Sequence, residues 1–326
     1  MKVLIADKFE QFGIDQLRAA GCEVICDPDL KDNALTRAIR DTECDVLIVR
    51  STRVTEPMID AGLELKLIIR AGSGFDTIDV KAASDRGVRV CNCPGQNSVA
   101  VAELTIGLMI ALDRRIVDNT DDLRHGLWNK KKYSKARGLK GRTLGIIGLG
   151  RIGYEVAKRA AAFEMRLLYC DVVGRPEAER ELRMAKVGFD ELLADADFVT
   201  VHTPGGDSTK HLIGRVELAR MKPTSFIINC ARGGVVDESA LAAALEANQI
   251  AGAALDVYEI EPGAGDVEFK DPIPRAPHVY GTHHIGASTE QAQSAVAEET
   301  IRIVKTFMET GRYVNCVNAS PMRSAV

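Results

Sequence analysis

Two places in this chain hold residues whose types and spacing could do chemistry. The first is Gly148-Leu149-Gly150-Arg151-Ile152-Gly153, with three glycines at GxGxxG spacing. An apolar run, Thr143–Ile147, precedes it, and a helix-forming run, Tyr154 to Phe163, follows. Leu167–Cys170 then reads as a second strand ending at Asp171, 18 residues past Gly153. In that context the spacing fits dinucleotide binding. Gly148 permits a tight turn, Gly150 lets the backbone approach a pyrophosphate, and Gly153 lets the helix pack close to the strand. The helix N-terminus offers N–H groups and partial positive charge to the diphosphate. Asp171 can accept hydrogen bonds from ribose hydroxyls and would repel a 2′-phosphate, which favours NAD over NADP. Arg175 is the nearby cation that speaks the other way.

The second place is made of three segments. Asn229 to Gly234 ends a strand with Arg232 beside two glycines, Asp256 to Pro262 ends the next with acids, and Thr282 to Gly286 carries His283 and His284 after a short apolar strand. An open parallel sheet binds ligands at the carboxyl ends of its strands, where all three segments fall. An Arg can bind a substrate carboxylate bidentately. A His can move a hydroxyl proton as hydride leaves carbon. A carboxylate can orient the imidazole and favour its charged form. Each also has a plainer reading: Arg232 as a surface ion pair, Glu261 as a cap before Pro262, and the histidines as ordinary polar residues.

The elements needed to position these residues are legible. Strand candidates are Val3–Ala6, Glu23–Cys26, Val46–Val49, Leu67–Ile69 and Val88–Val90, with amphipathic segments such as Ile14–Ala20 and Ala34–Arg40 between them. Strand–helix alternation implies a parallel sheet covered by helices. Cys93 to Asn97 breaks the pattern, and Ser98 offers an N-cap for a long apolar helix to about Arg114, read as the crossing into a second domain. The stretch Arg124 to Arg142 holds eight cations and no acid, and reads as a solvated arm or a positive rim. A second series of strands follows: Thr143–Ile147, Leu167–Cys170, Phe198–Val201, Ser225–Asn229 and Gly252–Leu255. Pro272–Pro277 is loop-like, a helix from about Ser288 to Thr310 could bridge back to the first domain, Gly311 sits where a C-cap belongs, and the tail should fray.

At 326 residues the chain has length for about two domains. Lys plus Arg is 42 and Asp plus Glu is 46, so the net charge of −4 argues against a global nucleic-acid binder. No apolar run is long enough to span a membrane, and no signal peptide is legible at the start. The eight cysteines form no CxxC pair or zinc spacing, so no metal is expected, and they read as buried reduced thiols of a cytoplasmic protein.

Taken together, the motifs resemble the D-isomer-specific 2-hydroxyacid dehydrogenase family over nearly the whole chain. Arg50-Ser51-Thr52, Arg70 to Asp76, Asn97 to Glu103, Val201-His202-Thr203-Pro204, Ala254 to Val257 and Gly286 to Thr289 carry the likeness. Trp128 to Tyr133 and Asn229 to Glu238 look most like its phosphoglycerate dehydrogenase branch. The resemblance implies two doubly wound α/β domains. A Rossmann nucleotide domain, 98–286, would be inserted into a flavodoxin-like substrate domain, 1–97 plus 287–326. Catalysis would sit in a cleft that closes by hinge motion. It implies Arg232, Glu261 and His284 as catalytic residues. Asp256 would hold the nicotinamide carboxamide. Cofactor contacts would come from Gly148, Gly150, Arg151, Ile152, Gly153, Asp171, His202, Thr203, Pro204, Cys230 and Ala231. Arg50, Ser51, Ser73, Gly74 and Asn97 would bind substrate, with Arg50, Arg53, Arg70 and the Lys130–Lys132 run as candidates for a phosphate.

The implied reaction is NAD-dependent oxidation of D-3-phosphoglycerate to 3-phosphooxypyruvate, the entry to serine synthesis, by a homodimer joined through the nucleotide domain and the arm near 110–142. A glyoxylate or hydroxypyruvate reductase would share every catalytic residue. A nucleotide-sensing binding protein similar to the C-terminal-binding-protein corepressors is the rival from another class. Three departures or markers stand out. His283 occupies a position that is commonly Pro in the family. Glu261 differs from the Gln of formate dehydrogenases. Residue 326 leaves no room for a C-terminal regulatory domain, so feedback through one is not expected.

Overall fold

The structure is a computed structural model and describes residues 1–262 and 267–319. The expected frayed tail, Ser320 onward, lies outside the described residues. The chain divides into two compact units, Met1–Asn97 with Thr289 onward, and Ser98–Ser288. The border expected at 286/287 therefore falls two residues later.

Among the described residues the first unit holds five strands: β1 (Lys2–Ile5), β2 (Glu23–Cys26), β3 (Val46–Val49), β4 (Leu67–Arg70) and β5 (Arg89–Asn92). They pair in parallel in the order β2-β1-β3-β4-β5, the flavodoxin-like order. The central strands Val-Leu-Ile-Val and Leu-Ile-Ile are buried on both faces, because a parallel sheet is covered on each side by its crossover helices. The helix Glu290–Thr310 belongs to this unit. It packs Ile301, Ile303 and Val304 against the face that carries Val3, Ile5 and Ile69, instead of bridging from the other unit. Thr289 caps it through the Ala292 amide, and Gly311 ends it in the left-handed region.

Among the described residues the second unit holds seven strands: β6 (Thr143–Ile147), β7 (Arg166–Cys170), β8 (Ala185–Lys186), β9 (Phe198–Val201), β10 (Phe226–Asn229), β11 (Gly252–Leu255) and β12 (Val279–Gly281). All pair in parallel, in the order β12-β11-β10-β9-β6-β7-β8. Counted from β6 this is 3-2-1-4-5-6, the dinucleotide-binding order, with one more strand at the end. The long helix Ser98–Arg114 lies on one face with helix Arg151–Ala162, and Ser98 begins the helix instead of capping it. Strand β8 has no apolar signature because it is a two-residue edge strand with both side chains exposed.

The basic stretch is partly neutralised. Lys132 pairs with Asp122 at 2.9 Å and Lys140 with Glu164 at 2.7 Å. Arg142 is buried, bonded to Asp113 at 2.9 Å and stacked over Phe198. Lys130–Tyr133 forms a short helix within the stretch that reads as irregular. All eight cysteines are free; Cys26 is exposed and Cys170 and Cys316 half-buried, so the expected burial holds for only the other five. Among the described residues no helix is long and apolar enough to cross a membrane.

Candidate active site

The nucleotide loop leaves β6 at the point where strand order reverses, with β7 on one side and β9 on the other. Gly148 has φ +90° and its amide donates to Cys170 O. A Cβ there would stand 2.7 Å from His202 O, so this turn needs glycine both for its dihedral and for the close approach. At Gly153 a Cβ would meet Gly148 O at 2.2 Å, which ties helix packing to the loop. Helix Arg151–Ala162 starts from Gly150 with no side-chain cap, so no side chain among the described residues takes its first amides, and apart from its chain neighbours a Cβ built on Gly150 would meet open space among those residues. Arg151 is exposed on the first turn, while Ile152 packs inward.

Asp171, at the end of β7, accepts the Leu149 amide at 2.7 Å and the Val173 amide at 2.9 Å. One acceptor position remains on each oxygen. At the end of β9, His202 Nε2 shares a hydrogen bond with Thr200 at 2.9 Å, and burial pushes the imidazole down to about 3, so it stays neutral. His202 Nδ1 and Thr203 Oγ1 are buried with no hydrogen-bond partner among the described residues. Pro204 follows, exposed. The loop also borders a cavity of about 710 Å3 shared with Arg175 and Arg180. Uncapped helix amides, a free carboxylate position and two orphaned polar atoms at one switch point fit a dinucleotide with unphosphorylated ribose.

Three adjacent strands carry the second cluster. Beyond β10, Cys230 and Ala231 are buried, and burial pushes the Cys230 thiol up to about 12, which leaves it protonated and inert. The Asn229 side chain knots this turn, accepting the Ala231 amide and donating to Arg232 O, both at 3.0 Å. The Arg232 stem packs over Gly205.

Beyond β11, Asp256 is only 1% exposed. Its carboxylate accepts from Thr282 Oγ1 at 2.7 Å and from the Ile285 and Gly286 amides, both at 2.8 Å. It therefore holds the loop after β12 that carries His284. That histidine has φ +52°, in the left-handed region. Its Nδ1 lies 2.7 Å from Glu261 Oε2. The other Glu261 oxygen accepts the Tyr258 amide at 3.1 Å. Burial alone would raise the Glu261 carboxyl. The hydrogen bond and charge of His284, the Tyr258 amide and the Arg232 charge outweigh it and hold the group below the usual carboxylate range. His283 is exposed and has no hydrogen bond or ion pair among the described residues, so the geometry pairs His284 with the acid.

The first unit carries Arg50, Ser51, Arg53, Arg70, Ser73, Gly74 and Asn97 at or beyond the carboxyl ends of its own strands, whereas Lys130–Lys132 lie on a short helix of the second unit. Arg50 and Ser51 follow β3, and the Asp7 carboxylate beyond β1 accepts the Arg50, Ser51 and Thr52 amides at 2.6, 3.2 and 3.0 Å. This is the switch point of the first sheet. Ser73 Oγ donates to Asn97 Oδ1 at 2.6 Å, and Gly74 follows it in the loop after β4. Asp7 reads in the sequence only as the end of the first apolar run, with no site role, although an acid directly after an apolar strand is the available signal. Tyr258 and Thr282, which tie the segment after β11 to the loop of His284, carry no signal of their own, because these partners are distant in sequence.

With this geometry in hand, comparison with known proteins is informative. Residues 106–286 match the family model described as D-isomer specific 2-hydroxyacid dehydrogenase, NAD binding domain. The chain is 42% identical over 320 residues to a D-3-phosphoglycerate dehydrogenase of Methanocaldococcus jannaschii, covering 98% of this chain and 59% of that protein. The chain thus spans about three fifths of that relative's length. It is 44% identical over 270 residues to a hydroxypyruvate reductase of Thermotoga maritima, covering 82% of this chain and 86% of that one. The crystal structure of the TT0316 protein of Thermus thermophilus superimposes with a TM-score of 0.87 at 34% identity, covering 97% of this chain and all of the other. A dinucleotide-binding sheet order, a glycine loop at its switch point and an Arg, Glu and His set on its neighbouring strands thus coincide with identity above 40% over most of the sequence, and the chain belongs to the D-isomer-specific 2-hydroxyacid dehydrogenase family.

Proposed function

We propose that this protein oxidises D-3-phosphoglycerate to 3-phosphooxypyruvate with NAD⁺. The observation that carries the dehydrogenase reading is the 2.7 Å pair between His284 Nδ1 and Glu261 Oε2. A carboxylate only accepts, so Nδ1 holds the proton and Nε2 is free to act as base. NAD⁺, when bound at the glycine loop, supplies the hydride acceptor. Gly148 to Gly153 and Asp171 would hold its diphosphate and ribose, and His202 to Pro204 its adenine end. Cys230 and Ala231 would lie along it. The free lone pair on Asp256 Oδ2 would accept from the carboxamide.

Arg232 would bind the substrate carboxylate and the C2 oxygen. As C2 becomes a carbonyl, His284 Nε2 takes the hydroxyl proton. Glu261 stabilises the imidazolium that results. Arg50, Ser51, Ser73, Gly74 and Asn97 would bind the substrate's anionic groups, since all lie at strand ends of a doubly wound sheet.

The phosphate ester is favoured by the branch likeness of Trp128–Tyr133 and Asn229–Glu238, and by the Methanocaldococcus relative, which aligns with 98% of this chain. A hydroxypyruvate reductase is the second reading, favoured by the Thermotoga relative, whose own length is 86% covered. The deciding experiment measures NADH formation at alkaline pH from D-3-phosphoglycerate and from D-glycerate in parallel. Strong preference for the ester supports the proposal. Turnover of D-glycerate alone moves the enzyme to the reductase reading.

A homodimer is part of the proposal. Ile116, Val117, Leu123 and Leu127 are exposed along one arm, and Trp128 is 82% exposed. A sedimenting monomer at micromolar concentration would refute it. Eight free cysteines suit a reducing compartment such as the cytoplasm.

A further inference from the structure

Glu238 opens helix Glu238–Glu246, directly after Asp237, which caps that helix through the Ala240 amide. An acid at that position could lie in solvent, yet Glu238 is only 8% exposed. Its Oε1 accepts the Glu259 amide at 2.7 Å. Its Oε2 is buried beside the Asp271 side chain and takes no backbone or side-chain donor among the described residues, unless one of the two carboxyls carries a proton. A buried carboxyl on a helix end, turned toward a backbone amide of another segment, requires a reason.

We propose that Glu238 is a positioning residue for Glu261, holding the Glu259 amide so that the turn after β11 presents Glu261 to His284. The two amides concerned are consecutive. Tyr258 N–H holds Glu261 Oε1, and Glu259 N–H is held by Glu238. Only the φ and ψ of Tyr258 separate them, so fixing one limits the other. Glu259 is also held by its side chain, with Oε1 2.5 Å from His211 Nε2. The single proton of the Tyr258 hydroxyl is shared between Leu255 O and Thr282 O, at 3.2 and 3.1 Å, which joins this turn to the loop of His284. Burial and the neighbouring Asp271 carboxyl push the Glu238 carboxyl up to about 7 against the pull of the Glu259 amide. Oε1 can accept that amide in either protonation state, so the clamp persists on both sides of neutrality.

The inference rests on Glu261 acting on His284, as proposed above, and the test separates the two. The His284 imidazole is titrated by NMR in the protein without ligands, its signal assigned with H284N. E261Q reports the pair directly. Loss of a neighbouring carboxylate lowers an imidazole pKa by roughly 1 unit or more. Glu238→Ala should lower it in the same direction. Glu238→Gln keeps an acceptor for the Glu259 amide and should restore the wild-type titration. In turnover, E238A should reduce kcat roughly tenfold with KM unchanged, and E238Q should recover it. Should E238A fail to fold, Glu238→Met fills the same volume without an acceptor and is read the same way. An unshifted His284 in E238A or E238M, with E261Q shifted, overturns the role of Glu238 alone. An unshifted His284 in E261Q overturns the Glu261 reading itself.

Discussion

Replacing Asp256 by Asn tests whether the His284 loop depends on one buried carboxylate. The wild-type group accepts three hydrogen bonds, from Thr282 Oγ1, Ile285 N and Gly286 N, and at 1% exposure it is shielded from bulk water. Asn has a single acceptor oxygen. In its best orientation the amide oxygen keeps Thr282 and Ile285, while its NH2 faces the Gly286 amide, donor against donor. One charge-assisted bond is lost, the other two are weakened, and a buried N–H is left unsatisfied. Together these cost about 2 to 4 kcal/mol. At roughly 2 to 4 °C per kcal/mol for a unit of this size, the melting temperature should fall by about 4 to 16 °C. Thermal melts of D256N and wild type measure that directly. Amide hydrogen exchange locates it, since Ile285 and Gly286 should exchange faster while the strands of the first unit stay unchanged. A D256N protein that melts within about 1 °C of wild type, with Ile285 and Gly286 still protected, would refute the reasoning.

Other expected outcomes follow from the same geometry. His284→Ala should lower kcat by a factor on the order of 10² or more, whereas His283→Ala should leave it nearly unchanged; steady-state kinetics of the pair decides, and the reverse result would transfer the acid–base role to His283. Glu261 is held below its ordinary carboxylate value of 4.5, so its contribution to stability is present above that value and lost as pH falls through the folded one. The stability gap between wild type and E261Q should therefore close on acidification, as read by urea unfolding, and a gap that widens toward low pH would contradict the pairing. Gly153→Ala must place a Cβ 2.2 Å from Gly148 O, so helix Arg151–Ala162 has to move off the loop. Fluorescence titration should show NADH affinity reduced at least ~10-fold, equivalent to ~1.4 kcal/mol, and unaltered affinity would remove the close-packing argument.

Much of the fold is legible because its signals are local. Four-residue apolar runs such as Val46–Val49 and Phe198–Val201 mark strands buried on both faces, and all ten expected strands are present within about two residues of their predicted ends. The glycine loop is legible for the same reason, since strand, turn and helix are contiguous. Strand β8 escapes because an edge pair, Ala185–Lys186, buries nothing and so shows no pattern. The basic stretch misleads for the opposite reason. Read along the chain it has no acid, but folding brings Asp113, Asp122, Glu164 and Asp197 to Arg142, Lys132, Lys140 and Arg137. A charge run is a statement about sequence neighbours, whereas screening is set by spatial ones.

The candidate site divides along the same line. Arg232, Glu261 and His284 can be found as residue types at three successive strand ends, because a parallel sheet delivers all its carboxyl ends to one edge. What makes them a site is a set of contacts that no local pattern announces. His284 sits at positive φ, a conformation that an exposed loop does not keep without support. The support comes from Asp256, 29 and 30 residues before the amides it holds, and from Tyr258, whose hydroxyl reaches Thr282 O. Glu261 is held in turn by the Tyr258 amide, beside a peptide fixed by Glu238 from another helix. Two buried acids thus perform no chemistry themselves, yet set the distance across which a proton can be stabilised. A geometry accurate to a few tenths of an ångström has to be built from contacts to rigid elements. Such elements are remote in sequence, which is why the candidate reacting side chains are readable from the sequence and the contacts that support them are not.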